Sequence, residues 1–209
     1  MSNVEIEKIC DKYNITNYTI NDDGYIDVNN SVYLDYYELT ELPLKFNKVF
    51  GIFSCSRTGL TSLEGGPKYV GGNFDCGNNI LTDLKGSPKE VDGSFYCNNN
   101  KITSLEFGPE VINGIYSSQN NDLYDIYGLK TKGYHYIYLN NNPISSVFIN
   151  KNGFNEFDSR LATYFNSAKI IENKNNEYSV NIKRLQYIQT MFENKIDTIK
   201  IAKYYDINY

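Results

Sequence analysis

One register of 21 residues runs through six consecutive stretches of the chain without an insertion or deletion, and the same side-chain type returns at each offset. Val32, Phe53, Phe74, Phe95, Tyr116 and Ile137 share one column, and Leu34, Cys55, Cys76, Cys97, Ser118 and Leu139 stand two residues later. A third column holds Leu39, Leu60, Leu81, Ile102, Leu123 and Ile144, and a fourth holds Leu42, Leu63, Leu84, Leu105, Ile126 and Val147. A repeat this short cannot bury an apolar face by itself, so neighbouring repeats must supply the other half of the core. The register therefore demands a stacked solenoid of six coils.

The central coils share the phrase Val-x-Gly-x-Phe-x-Cys-x-x-Asn-x-Leu-Thr-x-Leu-x-Gly-x-Pro or a close variant of it. Alternation in Phe-x-Cys puts both side chains on one face of a short strand. Gly51, Gly72, Gly93 and Gly114 precede the strands, where a missing Cβ allows a sharp bend or close approach between coils. Pro67, Pro88 and Pro109 hold the return segment extended, since proline fixes φ and has no N–H to donate. Each coil reads as strand, turn and extended return.

Asn79, Asn100, Asn121 and Asn142 form a polar column, with Tyr37 and Thr58 in its place in the first two coils. A buried amide must be satisfied, and the turning backbone of adjacent coils offers the partners. The column reads as a stack of inter-coil staples.

The runs from Phe74 to Leu84 and from Phe95 to Leu105 resemble the leucine-rich repeat, whose core pattern is Leu-x-Leu-x-x-Asn-x-Leu. With prolines in the return, they are similar to the short bacterial class of these repeats. A Val-x-Gly replaces the first leucine of that pattern, a dialect resembling uncharacterised bacteriophage repeat proteins. The resemblance covers about residues 14 to 150. It implies an α/β solenoid, a right-handed coil with a parallel sheet on the concave face and extended convex returns. It says little about function, because such scaffolds host unrelated partners.

The ends fall outside the register. Residues 1 to 24 are expected to form an N-terminal cap, with a helix over 1 to 13 that starts at Ser2 or Asn3 and buries Val4, Ile6 and Ile9 or Cys10. The solenoid spans 25 to 150. Residues 151 to 209 are expected to form a mainly helical C-terminal cap, with helical spacing over Phe154 to Ser167 and Val180 to Asn194. Residues 195 to 209 fit a helix or a strand equally well.

A net charge of −5 and a pI near 5.0 argue against a nucleic-acid partner, which calls for a concentrated basic face. The charged start and the lack of a long apolar run point to a soluble protein in the cytoplasm, that of a host cell if phage-encoded, with a place in a virion as the alternative. Cys55, Cys76 and Cys97 belong to a core column whose parallel side chains are poorly aimed for a disulfide. With one histidine, His135, no zinc set converges, so neither metal nor cofactor is expected.

No nucleophile triad, phosphate loop or carboxylate pair stands out, so the chain is not expected to be an enzyme. Some secreted bacterial relatives of such repeats carry a cysteine-dependent ubiquitin ligase, but no cysteine follows Cys97 here. The informative polar residues lie between the core columns. Tyr33, Ser54, Asp75, Tyr96, Ser117 and Tyr138 form one outward column, with Ser31, Ile52, Asn73, Ser94, Ile115 and Tyr136 beside it. Tyr36, Arg57, Asn78, Asn99, Asn120 and Asn141 follow at the strand ends. Tyrosine offers a rigid ring and a hydroxyl at low entropic cost. The expected function is a non-enzymatic protein–protein interaction module, binding its partner through Tyr33, Tyr36, Arg57, Asp75, Tyr96, Tyr136 and Tyr138. The alternatives are a structural virion or homo-oligomer component and a carbohydrate binder.

Overall fold

The computed structural model describes residues 1–147, 156–157, 167–175, 177–192 and 198–208. Its centre is a β-solenoid with two sheets. One face carries β3 (Val32–Tyr33), β5 (Phe53–Ser54), β7 (Phe74–Asp75), β9 (Phe95–Tyr96), β11 (Tyr116–Ser117) and β12 (Ile137–Tyr138), all parallel. The other carries β2 (Ile26–Val28), β4 (Phe46–Val49), β6 (Tyr69–Val70), β8 (Glu90–Val91) and β10 (Val111–Ile112), also parallel. Six strands on one face and five on the other close five complete turns. In the sixth coil, the return forms no named strand on this sheet and pairs with it through an isolated bridge between Val111 and Lys132.

The 21-residue register is the hydrogen-bond register itself. Phe53 pairs with Phe74 and Phe74 with Phe95, and bonds such as Phe74 N to Ser94 O at 2.9 Å and Cys76 N to Tyr96 O at 2.8 Å join successive coils. The return segments, expected to be merely extended, pair with one another and form the second sheet. Their inward column, Val49, Val70, Val91 and Ile112, is fully buried and makes a fifth apolar stripe. The Val-x-Gly phrase hides it, because a strand of two residues is too short to show alternation.

Between the two sheets the chain turns a corner at glycine. A Cβ on Gly93 would lie 2.7 Å from the carbonyl carbon of Gly72 and 2.8 Å from the amide of Asn73. Close approach between coils is the reason for glycine here, and φ stays in the ordinary range. Inside the corner the aromatic column stacks. Phe53, Phe74 and Phe95 follow at 5.4 and 5.3 Å with ring planes within 6°, and Tyr116 continues the stack at 5.1 Å, tilted by 65°. All four are fully buried.

At the N-terminus, Ser2 and Glu5 form a reciprocal capping box on the helix Asn3–Lys12. Ile6 and Cys10 enter the core, whereas Val4 is 59% exposed. The strand β1 (Tyr18–Ile20) pairs antiparallel with β2. At the other end, β13 (Glu156–Phe157) pairs antiparallel with β12, so these two residues of the expected helix 154–167 are strand; most of that stretch lies outside the described residues. The expected second helix is present as Ile182–Phe192. Residues 195–209 contain both alternatives, a turn of helix at Thr198–Ile201 and the strand β16 (Asp206–Asn208). With β14 (Ile171–Lys174) and β15 (Glu177–Asn181) this strand completes a three-stranded sheet. Among the described residues the C-terminal part therefore contains both helix and strand. It packs on the solenoid through tyrosines: Tyr124 stacks on Tyr178 at 4.7 Å, and the Tyr205 hydroxyl donates to the Tyr124 carbonyl at 2.6 Å.

Candidate partner-binding face

Every coil leaves the first sheet through a left-handed residue: Tyr36, Arg57, Asn78, Asn99, Asn120 and Asn141 all have φ between 54° and 64°. Asparagine tolerates this conformation at low cost, and bulky side chains do not. The four asparagines thus satisfy the turn. Asn120 donates to Asn99 at 2.8 Å and Asn141 to Asn120 at 2.6 Å, making an exposed ladder. Tyr36 and Arg57 are the exceptions. They form their own pair, with the Arg57 guanidinium 5.3 Å from the Tyr36 ring centroid and Arg57 Nη1 donating to the Tyr36 hydroxyl at 2.6 Å.

One residue further on, the buried asparagine column staples the coils. Asn79 Oδ1 accepts from the amides of Thr58, Gly59 and Leu60 at 3.1, 2.9 and 3.1 Å, and its Nδ2 donates to the carbonyls of Cys55 and Cys76, both at 3.0 Å. Asn100, Asn121 and Asn142 repeat the pattern, although Asn100 is only half-buried. These amides are fully engaged within the chain.

The sheet face is less open than the strand alternation suggests. Of the outward column, Tyr33 is 55% exposed, Asp75, Tyr96 and Tyr138 are half-buried, and Ser54 and Ser117 are buried. Ser117 lies between Tyr96 and Tyr138 in the sheet register, where larger neighbours overhang it. Ser54 is covered because its hydroxyl donates to Asp35 Oδ1 at 2.5 Å, as does that of Ser56 at 2.8 Å. Asp35, absent from the sequence-derived set, organises this patch. It stands at a turn position that later coils give to serine, glycine or amides, and that charge is the signal for it. Burial raises the Asp75 carboxyl above the usual carboxylate range; the Gly77 N–H opposes this, the Asp35 charge adds to it and Arg57 opposes it. The neighbouring column is occupied structurally. Ser31 Oγ accepts from Ile52 N at 2.9 Å and Asn73 Oδ1 from Ser94 N at 2.8 Å, and only Tyr136 in it is well exposed, at 47%.

Tyr33, Tyr36 and Arg57 thus share one exposed patch on the first two coils. Asp75, Tyr96 and Tyr138 continue along the sheet, half-covered, and Tyr136 stands at its far end. Among the described residues no three His, Cys, Asp or Glu side chains are grouped to hold a metal ion, and no helix is long and apolar enough to cross a membrane. All four cysteines are free and buried. Comparison of the chain with protein-family models, with curated proteins and with solved structures finds no match.

Proposed function

We propose that this chain is a non-enzymatic protein-binding module, related to the short bacterial leucine-rich repeats, whose working surface is the Tyr- and Asn-rich face of the first sheet. The observation that carries the reading is the Tyr36–Arg57 pair. Both residues hold a backbone conformation that costs them about 1 kcal/mol or more each, at a turn that asparagine makes cheaply in the next four coils. Strained, exposed residues of this kind concentrate at working sites, and Tyr and Arg are the types most often found as binding hot spots. Tyr33 beside them, with Tyr96 and Tyr138 along the same column, extends the surface over several coils.

The test is affinity capture from a host-cell lysate with three proteins: wild type, the double variant Tyr36→Asn with Arg57→Asn, and the double variant Tyr96→Ala with Tyr138→Ala. The asparagine variant suits the turn, so the fold should persist while a specific partner is lost. The control is Lys68→Ala with Lys89→Ala, each one residue before a strand of the second sheet, which should keep the partner. If the lysine changes release it and the tyrosine and arginine changes do not, the working surface is the other one.

A further inference from the structure

Phe107 interrupts a column. The two preceding coils place Gly65 and Gly86 there, both at φ +87°, and Phe107 keeps a left-handed φ of +65° with its ring 53% exposed. For a bulky side chain this is a genuine outlier. The Lys85 ammonium lies 5.4 Å from the ring centroid and 3.6 Å from the exposed Asp83 carboxylate, and the Ser87 hydroxyl donates to the Phe107 carbonyl at 2.6 Å. A ring carried with a lysine suits an apolar hollow edged by carboxylates.

The chain itself carries such a hollow. A recess of about 980 Å³ opens beside Leu44, which holds the Phe107 position three coils earlier. Met1, Ile20 and Pro43 supply apolar lining, and Asp22, Asp23, Glu41 and Glu64 supply acid, against the single lysine Lys45. Ring and recess lie on one ridge of the solenoid, three coil spacings or roughly 14 Å apart, which is beyond the reach of a phenylalanine side chain. A two-fold axis midway between them removes that obstacle, because it seats each ring in the other copy's recess and closes the assembly as a self-complementary pair.

We propose that two copies of this chain pair along this ridge, each inserting Phe107 into the acidic recess of the other and bringing Lys85 to Glu41 and Glu64 at its near edge. The pairing uses no residue of the proposed partner-binding face, so either reading can fail alone. Sedimentation equilibrium over a wide range of protein concentration should show a reversible dimer. Phe107→Gly restores the residue native to the column, and is expected to leave a folded monomer with an unchanged or higher Tm. Lys85→Glu should weaken the dimer about tenfold or more, and adding Glu41→Lys in the same chain should recover most of that loss. A wild type that stays monomeric at every concentration overturns the proposal and leaves the ring to another protein. So does a Phe107→Gly variant that still dimerises, and a charge reversal without recovery rules out the recess.

Discussion

The side-chain amide of Asn79 donates to the carbonyl of Cys55 in the preceding coil at 3.0 Å, and the same side chain accepts from three backbone amides of that coil. One residue therefore satisfies most of a turn that neither coil can satisfy from its own backbone. Asn79→Leu should lower stability by about 3 kcal/mol or more, since several buried donors and acceptors lose their partner at once. The half-buried Asn100, changed in the same way, should cost less because water can reach part of its site. Urea unfolding of both variants checks the order; equal midpoints would mean that burial does not set the cost.

Phe74 lies between two parallel rings, so truncation leaves a void bounded by side chains that are themselves fixed by neighbouring coils. Phe74→Ala is expected to cost about 3 to 5 kcal/mol. A loss under about 1 kcal/mol in chemical denaturation would show that the coils can close around the gap.

Tyr116 continues the phenylalanine stack, and its hydroxyl is buried without a hydrogen-bond partner among the described residues. Its oxygen sits where a Cβ on Gly108 would come within 2.8 Å, so glycine makes the room. Tyr116→Phe removes an unpaired polar group while keeping the ring, and should stabilise the fold by about 1 to 3 kcal/mol. Thermal unfolding decides this; a destabilised variant would reveal a partner for the hydroxyl.

Burial raises the thiols of Cys55, Cys76 and Cys97 above their ordinary range, that of Cys97 to about 12. An acid whose folded pKa lies above its unfolded value of about 8.5 contributes fully below pH 8.5 and loses that contribution as pH rises through the folded pKa. The urea midpoint should therefore hold steady up to about pH 8 and fall between pH 8.5 and 12. Thiol reagents at neutral pH should label the native chain slowly at all four cysteines, including Cys10, which helical spacing alone leaves as a borderline case. Fast labelling of the core thiols, or a midpoint flat to pH 11, would place them in contact with water.

The period, the Phe-x-Cys strand, the asparagine staples and the corner glycines are all local in the sequence, and each recurs every 21 residues. Repetition alone therefore determines the stacked coils and their register, because a face buried in one coil must be buried in all of them. Three things lie beyond that reach. The second sheet depends on return segments meeting across coils, which pairs of residues such as Tyr69–Val70 are too short to announce. The exposure of Ser54, Ser117 and Asp75 depends on neighbours one coil away, since an outward direction does not make a side chain accessible when Asp35, Tyr96 and Tyr138 surround it. The left-handed turns of Tyr36, Arg57 and Phe107 are visible only as backbone geometry. In sequence they are substitutions in a column, and the structure shows them as strain, because only the folded coil forces φ to be positive there.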